Sequence, residues 1–447
     1  MNGRMRGWRR WLPVGVAAVW GFPAAASAES EVNILLNKLV EKGILNNSDA
    51  GQIRREIEET KESRNKQLAK EIVPDSARNW KWKGDLRLRD EYRNLQGTGA
   101  DRHRVRIRFR YGVEAKVNDE LKVVSRIATG TTLGGSVSGS TATTPSDEPI
   151  STNKTFDDFF RKKPIVLDLA YAEYTPVLAS PDAKVQLLGG VMEGPLWTVS
   201  QLVWDADLGW DGLAAKGSYR LGETASVFSN NGVFLLDSDE SEPATLWVTQ
   251  AGVMLTPFSA AGDPLAKNFK LTAALAYHDY VNTANSAKAG TDPITRESDN
   301  TTATDFNQLN PSVELASVVA EIPTALFWDW VHNTTASSHG NDGFVIGVKL
   351  GKATTPWSLK NGWEAGYMFE RLERDAAFDE FVDSDFAGGG TNRRGNVAWV
   401  TFATLTNSTF GCKYFFNQRN LRNFGAGVTL TEDFHEDRVQ LDWTTKF

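Results

Sequence analysis

One cysteine, Cys412, and five histidines are scattered through 447 residues. A lone cysteine closes no internal disulfide, and so few imidazoles leave little material for a multi-metal enzyme. Downstream of the N-terminus no stretch offers 18 consecutive apolar residues, which excludes a transmembrane helix there. Gly-x-Ser-x-Gly, His-Glu-x-x-His and phosphate-loop patterns are absent, so no catalytic residue is named and neither cofactor nor metal is expected. Basic excess is lacking too: the net charge is −7, which argues against a nucleic-acid partner. Disorder is excluded by what is plentiful, namely 15 Trp, 9 Tyr and 23 Phe.

The chain opens like an export signal. Arg4, Arg6, Arg9 and Arg10 precede an apolar run from Trp11 to about Phe22, and Ala26-Ser27-Ala28 has the small-x-small form of a cleavage site. The run is too short to span a membrane. Residues 1–28 are therefore expected to be removed, and the mature chain is more acidic still. Such a chain is either soluble outside the cytoplasm or crosses a membrane as a β-barrel, the other structure that satisfies every backbone group in lipid.

Residues 29–78 read as a separate helical segment. Val32, Leu35, Leu36, Leu39 and Val40 recur at helical spacing, Asn46-Asn47-Ser48-Asp49 breaks the pattern with Ser48 a possible N-cap, and Ile53 and Ile57 begin a second helix. The apolar stripe is sparse, so self-association and a solvated periplasmic spacer both fit.

From Trp80 the period changes from 3.6 to 2 and stays there. Val105, Ile107, Phe109, Tyr111 and Val113 alternate with Arg104, Arg106, Arg108 and Arg110. About sixteen such segments follow one another, starting near Trp80, His103, Leu121, Ile165, Lys184, Gly212, Val227, Thr245, Phe269, Ser312, Leu326, Gly343, Gly362, Asn396, Thr409 and Arg438. Weak signals at the seventh, eleventh and sixteenth leave fourteen or eighteen open. Long connections fall mostly on one side and short ones on the other, the asymmetry of an outer-membrane barrel. The expected fold is all-β: a transmembrane antiparallel β-barrel over 79–447. A soluble sheet with one wet face is the competing reading.

The second strand decides which face meets lipid. A basic residue facing lipid costs roughly 2–4 kcal/mol near the midplane, so four in a row must face inward. Arg87, Arg89, Arg104, Arg106, Arg108, Arg110 and Arg126 are thus expected to form one basic wall of a wet lumen that tolerates charge reversal. Residues 80–129 carry thirteen basic and seven acidic side chains, whereas 130–447 carry 23 and 39. Cys412, between Phe410 and Tyr414, reads as a lipid-facing hydrophobe, and His278 as a polar lumen or rim residue. The outer loops are polar and Gly/Ser/Thr-rich, including Asp383–Gly395, and are expected to bury no core.

Several stretches resemble the "putative porin" family of Gram-negative outer membranes. They are Gly189-Gly190-Val191-Met192-Glu193-Gly194-Pro195-Leu196-Trp197, Leu202–Leu208, Gly212–Ala215, Asp383–Asn392 and Gln440-Leu441-Asp442, together with a terminal Phe447 after an alternating strand. The resemblance implies a sixteen-strand general-diffusion channel, a homotrimer in outer-membrane lipid, passing small hydrophilic solutes and ions, with no catalytic residues. It also implies a loop folded into the lumen against the arginine wall. The first choice for that loop is 193–211, with Asp205, Asp207 and Asp211 as constriction acids and Trp197, Trp204 and Trp210 to pack it down. The second is 130–163, with Asp147, Glu148, Asp157 and Asp158. Two carboxylates at i and i+2 are too few for a Ca²⁺ site. An adhesin or structural barrel, and less so a barrel hydrolase, are the alternatives.

Overall fold

The structure, a computed structural model, describes residues 31–46, 48–56, 60, 79–96, 101–130, 150–156, 159–160, 162–238, 243–258, 262–283, 306–336, 340–421 and 435–447. The signal-like residues 1–28 and most of 57–78 lie outside them. The chain divides into two compact units, Met1–Arg78 and Asn79–Phe447.

In the first unit α1 (Glu31–Glu41) buries Leu36 and is followed by a helix over 48–56. The cap of that helix is Asn46 rather than Ser48: its Oδ1 accepts the Asp49 N–H at 2.8 Å. Arg54 donates to Asn37 Oδ1 at 2.5 Å, tying the two helices together.

The second unit is a closed antiparallel barrel. Its strands are β1 (Trp80–Gln96), β2 (Arg102–Lys116), β3 (Leu121–Thr129), β4 (Lys154–Thr155), β5 (Ile165–Tyr174), β6 (Ala183–Glu193), β7 (Gly209–Arg220), β8 (Ala225–Asp237) and β9 (Ala244–Leu255). They continue through β10 (Lys270–Val281), β11 (Asn307–Val319), β12 (Ile322–Asn333), β13 (Asp342–Ala353), β14 (Gly362–Leu372), β15 (Arg393–Leu405), β16 (Ser408–Asn420) and β17 (His435–Lys446). Sixteen long strands form the ring and β1 pairs with both β2 and β17 to close it; β4, two residues long, pairs only the outer half of β2 beyond the end of β3. Closure leaves no free sheet edge in lipid. A short helix, α2 (Pro264–Lys267), sits in the connection before β10.

One end of the barrel has tight connections. β11 and β12 are joined by Ala320 and Glu321, both at positive φ (48° and 66°), the twist-matched two-residue hairpin. The long connections are at the other end, as the sequence pattern predicts.

The period-2 alternation sorts the faces. Leu88 and Tyr92 of β1 and Val105 of β2 are exposed, whereas Arg89, Glu91, Arg106 and Arg108 are buried. The outward face carries an aromatic belt near the tight-turn end, where Trp82 stacks on Tyr111 (5.4 Å) and Tyr111 on Phe447 (6.2 Å). Cys412 is on the outward face beside exposed Phe410 and Tyr414. Within β6, Gly190 adopts φ +125°, and a Cβ there would stand 2.2 Å from the Ala170 carbonyl oxygen. Only glycine lets β5 and β6 approach at that point.

The interior is not an empty tube. Two connections fold inward, residues 194–208 after β6 and 373–392 after β14. Trp204 packs on Trp210 (4.3 Å), on Phe381 (5.9 Å) and edge-on to His278 (5.2 Å). Phe378 stacks on Phe381 (5.0 Å) and Tyr280 (5.4 Å). The two loops and the inner faces of β6–β10 and β12–β16 share one buried apolar cluster that includes Leu202, Val382 and Phe386. This corrects the expectation that the outer loops, including Asp383–Gly395, bury no core. Its glycines and serines are real, but fully buried Phe386, worth roughly 1.5–3 kcal/mol, and partly buried Phe378 and Phe381 supply the apolar surface.

Candidate functional site: the arginine wall and the loops before it

Register alone builds the wall. In the β1–β2 ladder Arg87 faces Arg108 and Arg89 faces Arg106, while β17 sets Asp442 opposite Arg89. Like charges directly opposed are destabilising. The structure offsets this with carboxylates from the same strands and from the inward loops.

Arg89 makes a fork onto Asp442 (2.7 and 2.9 Å) and reaches Asp385 of the 373–392 loop at 2.7 Å. Arg108 and Arg110 share Asp85 (2.9 and 2.6 Å) and both meet Asp207 of the 194–208 loop at 3.3 Å. Arg104 pairs with Glu91. Arg126 stands apart from this group on β3, paired with Asp168 and, at 2.7 Å, Glu193. Among the described residues Arg87 and Arg106 meet no carboxylate: Arg87 donates to Asn153 Oδ1 at 2.6 Å, and Arg106 to Ser151 Oγ (3.4 Å) and the Asn153 carbonyl (3.3 Å).

Of the seven, Arg89, Arg106 and Arg108 are buried and the others half-buried, and most are paired with carboxylates. The reason is electrostatic: guanidinium groups stacked on adjacent strands draw carboxylates across whatever gap the loops can close, because solvent screens little at the buried positions.

The three named acids separate. Asp207 lies against Arg108 and Arg110. Asp205 is buried and turned instead to the other loop: its Oδ2 accepts the Ser384 N–H at 2.9 Å, its Oδ1 accepts the Asp207 N–H at 2.8 Å, and its own N–H donates to the Phe381 carbonyl at 2.7 Å. Asp211 is on β7 between inward Trp210 and Gly212, exposed on the opposite face, and joins neither. Of the second-choice loop, Asp147, Glu148, Asp157 and Asp158 lie outside the described residues. Its described part, 150–156, does reach the wall: Ile150, Ser151, Thr152 and Asn153 are buried, and Thr152 Oγ1 donates to Asp207 at 3.3 Å. Three connections thus converge before the arginines.

Local sequence reading missed the acids that complete the network. Asp85 and Glu91 share the face of Arg87 and Arg89 by simple alternation, so their signal was present. Glu436, Arg438 and Asp442 share a face of β17, but their partners follow only from ring closure. Arg438 is buried between Glu436 (2.7 Å) and Asp385 (3.6 Å). His278 is fully buried, bonded through Nδ1 to Gln308 at 3.2 Å, and serves as a floor for Trp204. Below the loops an interior cavity of about 410 Å³ is bordered by Ser200, Gln201, Lys349, Glu364, Lys413 and Asp442, a lining of mixed charge.

Loop electrostatics give a pH dependence. Burial, and then the neighbouring Asp383 carboxyl, push Asp205 up to about 8. Burial also raises Asp383. Asp385 moves the other way: burial opposes its charge, but Arg89 and Arg438 hold it well below the usual carboxylate range. A carboxyl raised in the docked state favours docking while it is protonated. That contribution is complete below the ordinary carboxylate pKa and is lost as pH rises through about 8. Protease cleavage within 373–392 should therefore increase between neutral and alkaline pH, and Asp205→Asn should flatten the profile.

A family model described as "Putative porin" matches residues 91–315 and 310–447. Among solved structures, one titled "Salmonella typhi OmpF complex with Daunomycin" is 11% identical with a TM-score of 0.47, covering 82% of this chain and 97% of that one. No curated protein matches.

Proposed function

We infer the function from one premise: the chain belongs to the family described as "Putative porin", and it is a porin. It crosses the outer membrane as a β-barrel and provides a water-filled channel for passive diffusion of small hydrophilic solutes and ions. The observation that carries this is the sorting of faces around a closed ring, apolar and aromatic residues outside and charged residues inside.

Three loops narrow the passage before the arginine wall, with Arg87, Arg89, Arg104, Arg106, Arg108, Arg110 and Arg126 along the wall and Asp205 and Asp207 in the constriction. The alternation of charge on both sides supports a local field more than a uniformly basic pore. No catalytic residue takes part. The protein assembles as a homotrimer in outer-membrane lipid, and residues 29–78 form a periplasmic segment distinct from the barrel.

Liposomes containing the purified protein test the reading. They should swell in small sugars and progressively less as sugar size grows; liposomes as tight as protein-free controls would overturn it. Deleting Glu31–Ile72 should leave a barrel of unchanged heat-modifiable mobility, because none of those residues belongs to the strand pattern. Loss of that β structure would show the segment to be part of the barrel fold.

A further inference from the structure

Arg87 and Arg106 stand out within the wall. Every described carboxylate around them is committed elsewhere: Asp85 and Asp207 to Arg108 and Arg110, Asp442 and Asp385 to Arg89, Glu91 to Arg104. No ion pair reaches either among the described residues, and the Nε atom of each is buried without a hydrogen-bond partner. Arg106 is 7% exposed, whereas Arg87 is half-buried.

The residue that meets Arg87 at 2.6 Å is Asn153, the neutral isostere of the aspartate that would close the network. Its carboxamide oxygen is used by Arg87, and its NH₂ group has no acceptor among the described residues. The Ser151 hydroxyl lies beside Arg106. Two planar donors, a hydroxyl and an amide thus surround a place that no carboxylate fills among the described residues. A guanidinium offers paired N–H groups matched to two oxygens of one group, so the fit is to an oxyanion rather than to a spherical halide.

We propose that Arg87 and Arg106, with Ser151 and Asn153, form an oxyanion-binding station on the channel wall that takes the carboxylate or phosphate group of a passing solute. The proposal rests on the porin reading and deepens it by naming a solute class. Binding there is transient: partly exposed Arg87 receives the anion from the lumen, and buried Arg106 holds the second oxygen. Because fixed acids neutralise the neighbouring arginines, this pair carries the wall's uncompensated charge among the described residues.

The test uses the full-length protein in planar bilayers in potassium chloride, with inorganic phosphate or acetate added in turn. In the native protein at least one should reduce the chloride current saturably. Block by both marks a general oxyanion station; block by one identifies the phosphate or the carboxylate source. Arg87→Gln should raise the half-blocking concentration about tenfold, as loss of one charge-assisted hydrogen bond implies. Asn153→Asp should do the same with both arginines present, because the new carboxylate occupies the station. Equal block in native protein and both variants, or no block by either anion in a conducting channel, would overturn the proposal alone. Absence of any channel steps would overturn the porin reading and the station with it.

Discussion

Arg108→Glu should release the 194–208 loop from the wall and move ion preference towards cations. Arg108 joins Asp85 and Asp207, and the substitution sets a third carboxylate among them with only Arg110 left as counter-charge. Removing one partner of a buried ion pair costs about 3–5 kcal/mol, chiefly because the remaining charge is left uncompensated. Asp207 can escape to solvent by leaving the wall, whereas Asp85 is fixed on β1. The strain should therefore appear as loop undocking before it appears as barrel unfolding. Expected observations are a larger channel conductance, a reversal potential shifted towards cation preference, and a reduced shift at molar salt. Unchanged conductance and ion preference would show that Arg108 and Asp207 do not border the path. The Arg106→Glu, Arg108→Glu double substitution should be more damaging, since both positions are buried.

Trp204→Ala should have a comparable effect through packing. Trp204 is 6% exposed and joins the two inward loops, touching Trp210, Phe381 and His278. Truncating a buried tryptophan costs about 3–5 kcal/mol. The sixteen-strand ring does not depend on it, because the ladder of backbone hydrogen bonds closes without this side chain. Loop docking should therefore weaken while heat-modifiable mobility of the barrel is retained. Protease should cut both 194–208 and 373–392 faster than in the native protein, and single-channel current should become larger or noisier. Cleavage confined to 194–208 would show that the two loops dock independently.

The frame of the molecule was legible because a membrane barrel repeats one simple constraint. Lipid outside and charge inside force alternation, so Arg104–Arg110 alone fixed the face of β2, and strand starts such as Leu121, Ile165 and Gly362 fell where the structure has them. Others were late by a few residues, as at Ser312 against Asn307 and Arg438 against His435, because polar outer ends of strands look like loop. β4 escaped notice for the same reason, being two residues inside a polar connection.

Less of the site could be read. Long-range pairing of β1 with β17 comes from closure, and no local pattern reveals that Asp442 will face Arg89. The inward fold of 194–208 could be anticipated from its tryptophans, but that of 373–392 was masked by composition. Polar loops were expected to need a framework, and the loop found one inside the barrel by spending three phenylalanines on it. Asp211 illustrates the opposite error. Its spacing after Asp205 and Asp207 suggested one cluster, yet β7 had already begun and alternation turned it to the other face.

Planar-bilayer recording of the purified native protein tests the central claim most directly. A porin of this construction should give conductance steps of uniform size that persist for seconds and scale with salt concentration. A bilayer that stays silent, or shows only erratic leakage independent of salt, would contradict the account.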